Sequence, residues 1–198
     1  MKGSVFLGSV GVGVICVGLV VVTALAFSGD GDSRSEGQDR ARIIKGDIDY
    51  VSSFDELVAR STLIVYGVPI GRVTFTIQTE TGLFGDYVQS VRVLEVIEGE
   101  APSEIQVVRA GVDEEKAREG VERVQSDLLG GPLPHGRTVL FLNASARPDA
   151  YSVVGHTQGT VIFGENDQSE AVENRGFEEL RGLGLADVKA RVKEAKGG

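Results

Sequence analysis

Residues 62–79 read TLIVYGVPIGRVTFTIQT. Leu63, Ile64, Val65 and Tyr66 form a short, unbroken apolar run, which fits a strand buried on both faces. Further on, Val73, Phe75 and Ile77 alternate with Arg72, Thr74, Thr76 and Gln78. That period of two marks a strand buried on one face. Gly67, Pro69 and Gly71 stand between the two patterns and predict a bulge or sharp bend. A β-rich fold follows from this one stretch.

The flanks extend the pattern. Upstream, Ser53, Phe54, Asp55 and Glu56 fit a capping box, with Phe54, Leu57 and Val58 on one face of a short helix ending by Arg60 and Ser61. Downstream, residues 81–86 (TGLFGD) predict a turn, and residues 87–97 the next strand, closed by Glu98, Gly99 and Glu100. Residues 105–109 form a third strand after Pro102. Residues 113–129 break the β pattern, because Ala117, Val121, Val124 and Leu128 recur at helical spacing. Glu114–Arg118 and Glu119–Arg123 add i,i+4 pairs of the favourable order. A helix is expected there, weakened by Gly120 and stopped at Gly130 and Gly131; residues 132–136 then form a loop. Residues 138–143 (TVLFLN) read as a central strand, paired with residues 151–154 across a turn at 146–150. Residues 160–163 are expected as the last strand and residues 167–174 as a polar excursion. Leu185, Val188 and Val192, helped by Asp187–Arg191, mark a terminal helix. No internal repeat is present.

The N-terminus has a different character. Residues 5–27 carry no charge and are dominated by Val, Leu, Ile, Gly and Ala. About 20 apolar residues in a helix match the roughly 30 Å hydrocarbon core of a bilayer. Glycines at 8, 11, 13 and 18 are tolerated in such helices. The run exceeds the core of a secretory signal, so residues 1–28 are read as an uncleaved anchor. Cleavage after Ala26, giving a secreted domain, is the alternative. Lys2 keeps the N-terminus inside and places the domain outside the cytoplasm. Cys16 follows Ile15, which is too large for a lipoprotein site, and reads as an apolar residue of the membrane helix. Residues 29–46, rich in Gly, Ser and charge, form a flexible linker, and residues 47–198 form the domain.

The chain has a net charge of −9, and the single charge before Ser28 is positive, so the domain is more acidic still. This excludes nucleic acid as a partner, because such binding relies on Lys and Arg neutralising phosphates. The only Cys is Cys16, so the domain holds no disulfide and no Cys-bound metal. Its stability must come from its core.

The stretches SFDELVARSTLIVYGVPIGRV, VRVLEVIEGE, GRTVLFLNA, YSVVGHTQGTVIF and LRGLGLADVKARV together resemble a group of uncharacterised secreted or membrane-anchored bacterial proteins. More remotely they are similar to netrin-like and metalloproteinase-inhibitor-like modules. The resemblance spans roughly residues 50–195 and implies an OB-type five-stranded barrel. The mature N-terminal Cys with which such inhibitors chelate zinc is missing here, so their mechanism does not carry over. The residues themselves point the same way: short strands with Gly at the bends suit a small closed sheet. The expected fold is mainly β with flanking helices, a small OB-like Greek-key β-barrel after one N-terminal transmembrane helix.

Chemical candidates are few. His135 and His156 are the only histidines, and both fall in loops. His156 lies in the Gly-bounded segment 155–159 (GHTQG), where two glycines permit positive φ or close backbone approach. Gln158 in that loop is expected to bond strand ends, with ligand binding as the alternative. Leu83 and Phe84 are expected at a hairpin tip, available to a partner or folded back on the barrel. Ser61 and Ser145 carry no nucleophile motif around them. Asp113, Glu114 and Glu115 suit a helix N-terminus. Gly29, Asp30, Gly31 and Asp32 lack the spacing of a calcium loop. No catalytic residue, metal or cofactor is expected. His156, Gln158, Leu83 and Phe84 are the ligand-binding candidates, and membrane lipid is the partner of residues 5–27. The expected function is a membrane-tethered, extracytoplasmic binding or accessory module for an envelope protein or ligand. The alternative is a cell-envelope hydrolase or metal-dependent enzyme using His156.

Overall fold

The structure, a computed structural model, describes residues 50–77, 84–112, 130–171 and 176–197. The apolar segment 5–27, the linker 29–46 and the expected helix at 113–129 lie outside the described residues. Among the described residues, no helix is long and apolar enough to cross a membrane.

The elements run in the order α1 (Phe54–Arg60), β1 (Leu63–Ile77), β2 (Phe84–Glu98), β3 (Glu104–Val112), β4 (Arg137–Ala144), β5 (Ala150–Val153), β6 (Thr160–Phe163), β7 (Ser169–Ala171), a 3-10 turn (Glu178–Leu180) and α2 (Leu185–Gly197). β1 pairs antiparallel with β2, and β2 with β3. β3 pairs parallel with β5, β5 antiparallel with β4, and β4 returns to β1. Five strands thus form a closed circuit, a small barrel flanked by the two helices.

The bend expected in β1 is real. The β1–β2 register shifts between Tyr66 and Gly67, where Leu94 is the extra residue, and again between Ile70 and Thr74. At the second shift Gly71 adopts φ 72°, which lets β1 turn without steric cost. The barrel needs such bulges, because a short sheet closes only if its strands curl.

β1 and β4 separate two cores. Along their ladder Leu63 faces Leu142, Ile64 Phe141, Val65 Leu140 and Tyr66 Val139. Leu63, Val65, Leu140 and Leu142 point into the barrel with Val91, Ile105 and Val107. Ile64, Tyr66, Val139 and Phe141 point outward and are covered by Phe54, Leu57 and Val58 of α1 and Val188 and Val192 of α2. Phe141 is fully buried and meets the Phe54 ring edge-on at 5.7 Å. Helix α1 begins at Ser53, whose Oγ accepts from the Glu56 N–H at 3.1 Å. Glu56 reaches back to Ser52, one residue before the cap, accepting from its N–H at 2.8 Å and its hydroxyl at 2.6 Å. Those hydrogen bonds hold the Glu56 carboxyl below its usual pKa.

Two expectations are corrected. Phe84, Gly85 and Asp86 belong to the ladder rather than to the turn, pairing with Val112, Gly111 and Ala110 of β3. Ser169–Ala171, in the expected polar excursion, is strand β7 on the outer edge of β6. A three-residue edge strand with Glu170 exposed has no room for an apolar alternation, so the pattern could not reveal it.

Phe141→Ala should destabilise the domain by about 3–5 kcal/mol, because it opens a cavity in the helix-facing core. Urea unfolding followed by circular dichroism measures this. A loss under about 1 kcal/mol would contradict the packing described.

Candidate functional site

The barrel interior changes from apolar to polar along its axis. On the β2–β3 ladder the inward rungs are Val91 with Ile105, then Gln89 with Val107, then Tyr87 with Arg109. Successive inward residues are two apart, as strand geometry requires. Gln89 and Arg109 are therefore held inside by register, at 4% and 7% exposure.

The segment leaving Gly130 crosses this polar end. Leu133 inserts its side chain into the barrel core, and its N–H donates to Gln89 Oε1 at 3.1 Å. Arg109 Nη1 donates to the Pro132 carbonyl at 3.3 Å. The backbones must approach closely here. A Cβ on Gly111 would lie 2.1 Å from the Gly130 carbonyl and 2.5 Å from the Tyr87 ring. Tyr87 completes the wall, its ring 4.8 Å from that of Phe75 and its hydroxyl donating to the Val112 carbonyl at 2.5 Å.

His156 arrives from the loop that follows β5, the strand paired beside β3. β5 and β6 are two parts of one antiparallel neighbour of β4. Between them residues 154–159 loop out opposite Phe141, whose N–H donates to the Gly159 carbonyl and whose carbonyl accepts from the Val154 N–H, both at 2.9 Å. Gly155 and His156 adopt successive left-handed conformations, φ 62° and 61°. Gly supplies such a conformation freely, and His is among the few other residues found there. This turn aims the partly buried His156 ring at Arg109. A Cβ built on Gly130 would lie 3.1 Å from both Arg109 Nη2 and His156 Cε1.

Both side chains are bases, and burial dominates their electrostatics. Loss of solvation lowers the Arg109 guanidinium to about 10. His156 is lowered to about 4, first by burial and then by the Arg109 charge. Among the described residues, no acidic side chain counters either shift. Of the two buried side-chain atoms lacking a hydrogen bond among the described residues, Thr160 Oγ1 is neutral and Arg109 Nε is charged.

The other candidates scatter. Gln158 shares the loop with His156 but is occupied: its Oε1 accepts from the Val51 N–H at 2.9 Å, and its Nε2 donates to the Val51 carbonyl at 3.2 Å. It thereby joins the start of the domain to the loop. Phe84 stands half-buried at the start of β2, on the ladder three positions beyond Tyr87. Leu83 lies outside the described residues. His135 is exposed. Among the described residues, no three His, Cys, Asp or Glu side chains gather as metal ligands would. The sequence reasoning missed Arg109, although a signal existed: Ile105, Val107 and Arg109 fall on one face of their strand, and that face is the barrel interior.

Two outcomes follow. The unfolded His156 imidazole titrates near 6.5 and the folded one near 4, so the unfolded chain binds the proton more tightly. Stability is therefore full above pH 6.5 and is lost as pH falls toward 4, by up to about 3 kcal/mol. His156→Asn, which keeps a residue tolerant of the left-handed turn, should flatten that slope in urea titrations at stepped pH. Arg109→Met removes one hydrogen bond and one unpaired buried charge of similar volume. Its melting temperature should stay within a few degrees of the parent or rise, as for apolar replacement of buried ions; a drop above about 10 °C would show that Arg109 is needed for folding.

No protein-family model matches this chain, and no curated protein is found to be similar to it.

Proposed function

We propose that this chain is a membrane-tethered binding module of OB type, held outside the cytoplasm by residues 5–27. The strand circuit β1-β2-β3-β5-β4-β1, with its parallel β3–β5 contact, supports the OB reading. Barrels of that type bind through the β2–β3 face and the loops after β1 and β4. Here the loop after β4 is tied to that face by Arg147, 3.4 Å from the Asp86 carboxylate. The charge-free length of residues 5–27 supports the tether.

The observation that carries binding over catalysis is the character of the Arg109–His156 pair. General acid–base work needs a group whose pKa lies near the working pH, usually steered by a second residue. His156, near 4, is a weak base at neutral pH, and its neighbour is a cation. A buried cation beside a neutral imidazole is suited to holding an anionic group in place. This weighs against the hydrolase reading based on His156.

Intact cells expressing the full chain should yield it in the membrane fraction with Met1 or Lys2 at its N-terminus. External protease should digest the domain. An N-terminus at Phe27 would remove the anchor, and a domain protected from protease in intact cells would overturn the outward orientation.

A further inference from the structure

Among the described residues, Arg109 makes one side-chain hydrogen bond, from Nη1 to the Pro132 carbonyl. Its other two nitrogens are Nε, buried without a partner, and Nη2, which faces Gly130 and His156. These two nitrogens lie on the same edge of the guanidinium and point their N–H bonds in parallel. That edge matches the two oxygens of a carboxylate. Proteins seldom bury a cation with no counter-charge, since the loss of hydration is repaid only by a close anion. Nothing among the described residues supplies one: Asp86, the acid nearest in sequence to the Tyr87–Arg109 rung, belongs to the outer face with Arg147.

We propose that the free Nε–Nη2 edge of Arg109 is a carboxylate-binding site, closed on its outer side by His156. The charge count selects a carboxylate over phosphate. With His156 neutral the site holds one positive charge, which one carboxylate balances; a phosphate dianion would leave a buried excess. Gly130 is part of the site, because a methyl group there would press on both Arg109 Nη2 and the His156 ring. The inference rests on the reading of the domain as a binding module and names what that module takes: a small organic acid, or the carboxylate tip of a peptide partner.

The test uses the full chain in mild detergent, with 13C-labelled histidine observed by NMR at pH 7. The two histidines make the assay self-controlled, since exposed His135 lies outside the site. Sodium acetate should shift the His156 Cε1 resonance saturably in the millimolar range and leave that of His135 in place. Sodium chloride at equal ionic strength should not. Arg109→Met should abolish the shift, and Arg109→Lys, which keeps the charge but loses the fork, should weaken binding at least about tenfold. Gly130→Ala, which keeps the fork and obstructs it, should weaken binding too, so the result does not depend on one variant folding. An acetylated peptide ending in a free carboxylate, compared with its C-terminal amide, separates the two sources: tighter binding than acetate, lost in the amide, assigns a peptide partner, and no gain over acetate assigns a small acid. No saturable shift with acetate or peptide, an equal shift with chloride, saturation by phosphate alone, or a shift that survives in Arg109→Met overturns the proposal. Failure of acetate with the chain still outward-facing in membranes rejects this site alone. Loss of the membrane topology with acetate binding intact rejects the tethered module alone.

Discussion

Closure of the barrel depends on one long-range contact, the pairing of β1 with β4 over Leu63–Gly67 and Thr138–Leu142. Alternation along those two strands sends Leu63, Val65, Leu140 and Leu142 inward and Ile64, Tyr66, Val139 and Phe141 outward. Because both sets are apolar, the strand pair is a wall between two cores and needs cover on both sides. The inner side is covered by the rest of the barrel, the outer side by α1, α2 and β6. A one-residue slip would exchange the two sets and misalign every partner. The fold is thereby locked in register by the same residues that drive its collapse.

The consequence reaches the polar end. β3 is held in the barrel by its antiparallel pairing with β2 and its parallel pairing with β5. With Ile105 and Val107 directed inward, Arg109 has no outward option. The apolar end of the barrel is filled by Val91, Ile105, Leu140 and Leu142, whereas the opposite end contains Gln89 and Arg109, satisfied in part by the backbone of residues 132 and 133. A chain selected for stability alone would place an apolar residue at 109. Departures of this kind from core chemistry are expected at functional positions.

The loop at 154–159 shows how one insertion serves two tasks. Gln158 fastens Val51, the first buried apolar residue of the described domain, by a two-point contact that imitates a strand pair. His156, two residues earlier, faces the barrel end instead. The left-handed turn at Gly155 and His156 separates the two directions. One short loop therefore both fastens Val51 and brings His156 beside Arg109.

Much of the fold was legible in residues 50–197. The period-two runs gave the strands because a half-buried strand requires alternation, Ser53 and Glu56 marked the start of α1 because a helix leaves its first N–H groups open, and Gly67 to Gly71 marked the bend because only such residues permit it. The composition also carries the acidic charge and the charge-free run of residues 5–27 without any help from folding. What the tertiary structure decided was everything set by distant partners: the parallel contact of β3 with β5, the division of one strand into β5 and β6 around Phe141, and the edge strand β7. Above all it decided the environment of Arg109. In the sequence that residue ends an ordinary strand; its burial, its lack of an acidic partner among the described residues and its nearness to His156 arise only when barrel closure brings β3 against a loop 47 positions further along. Local patterns are set by neighbours within a few residues, whereas the charge state and solvation of a buried group are set by whatever the fold places around it.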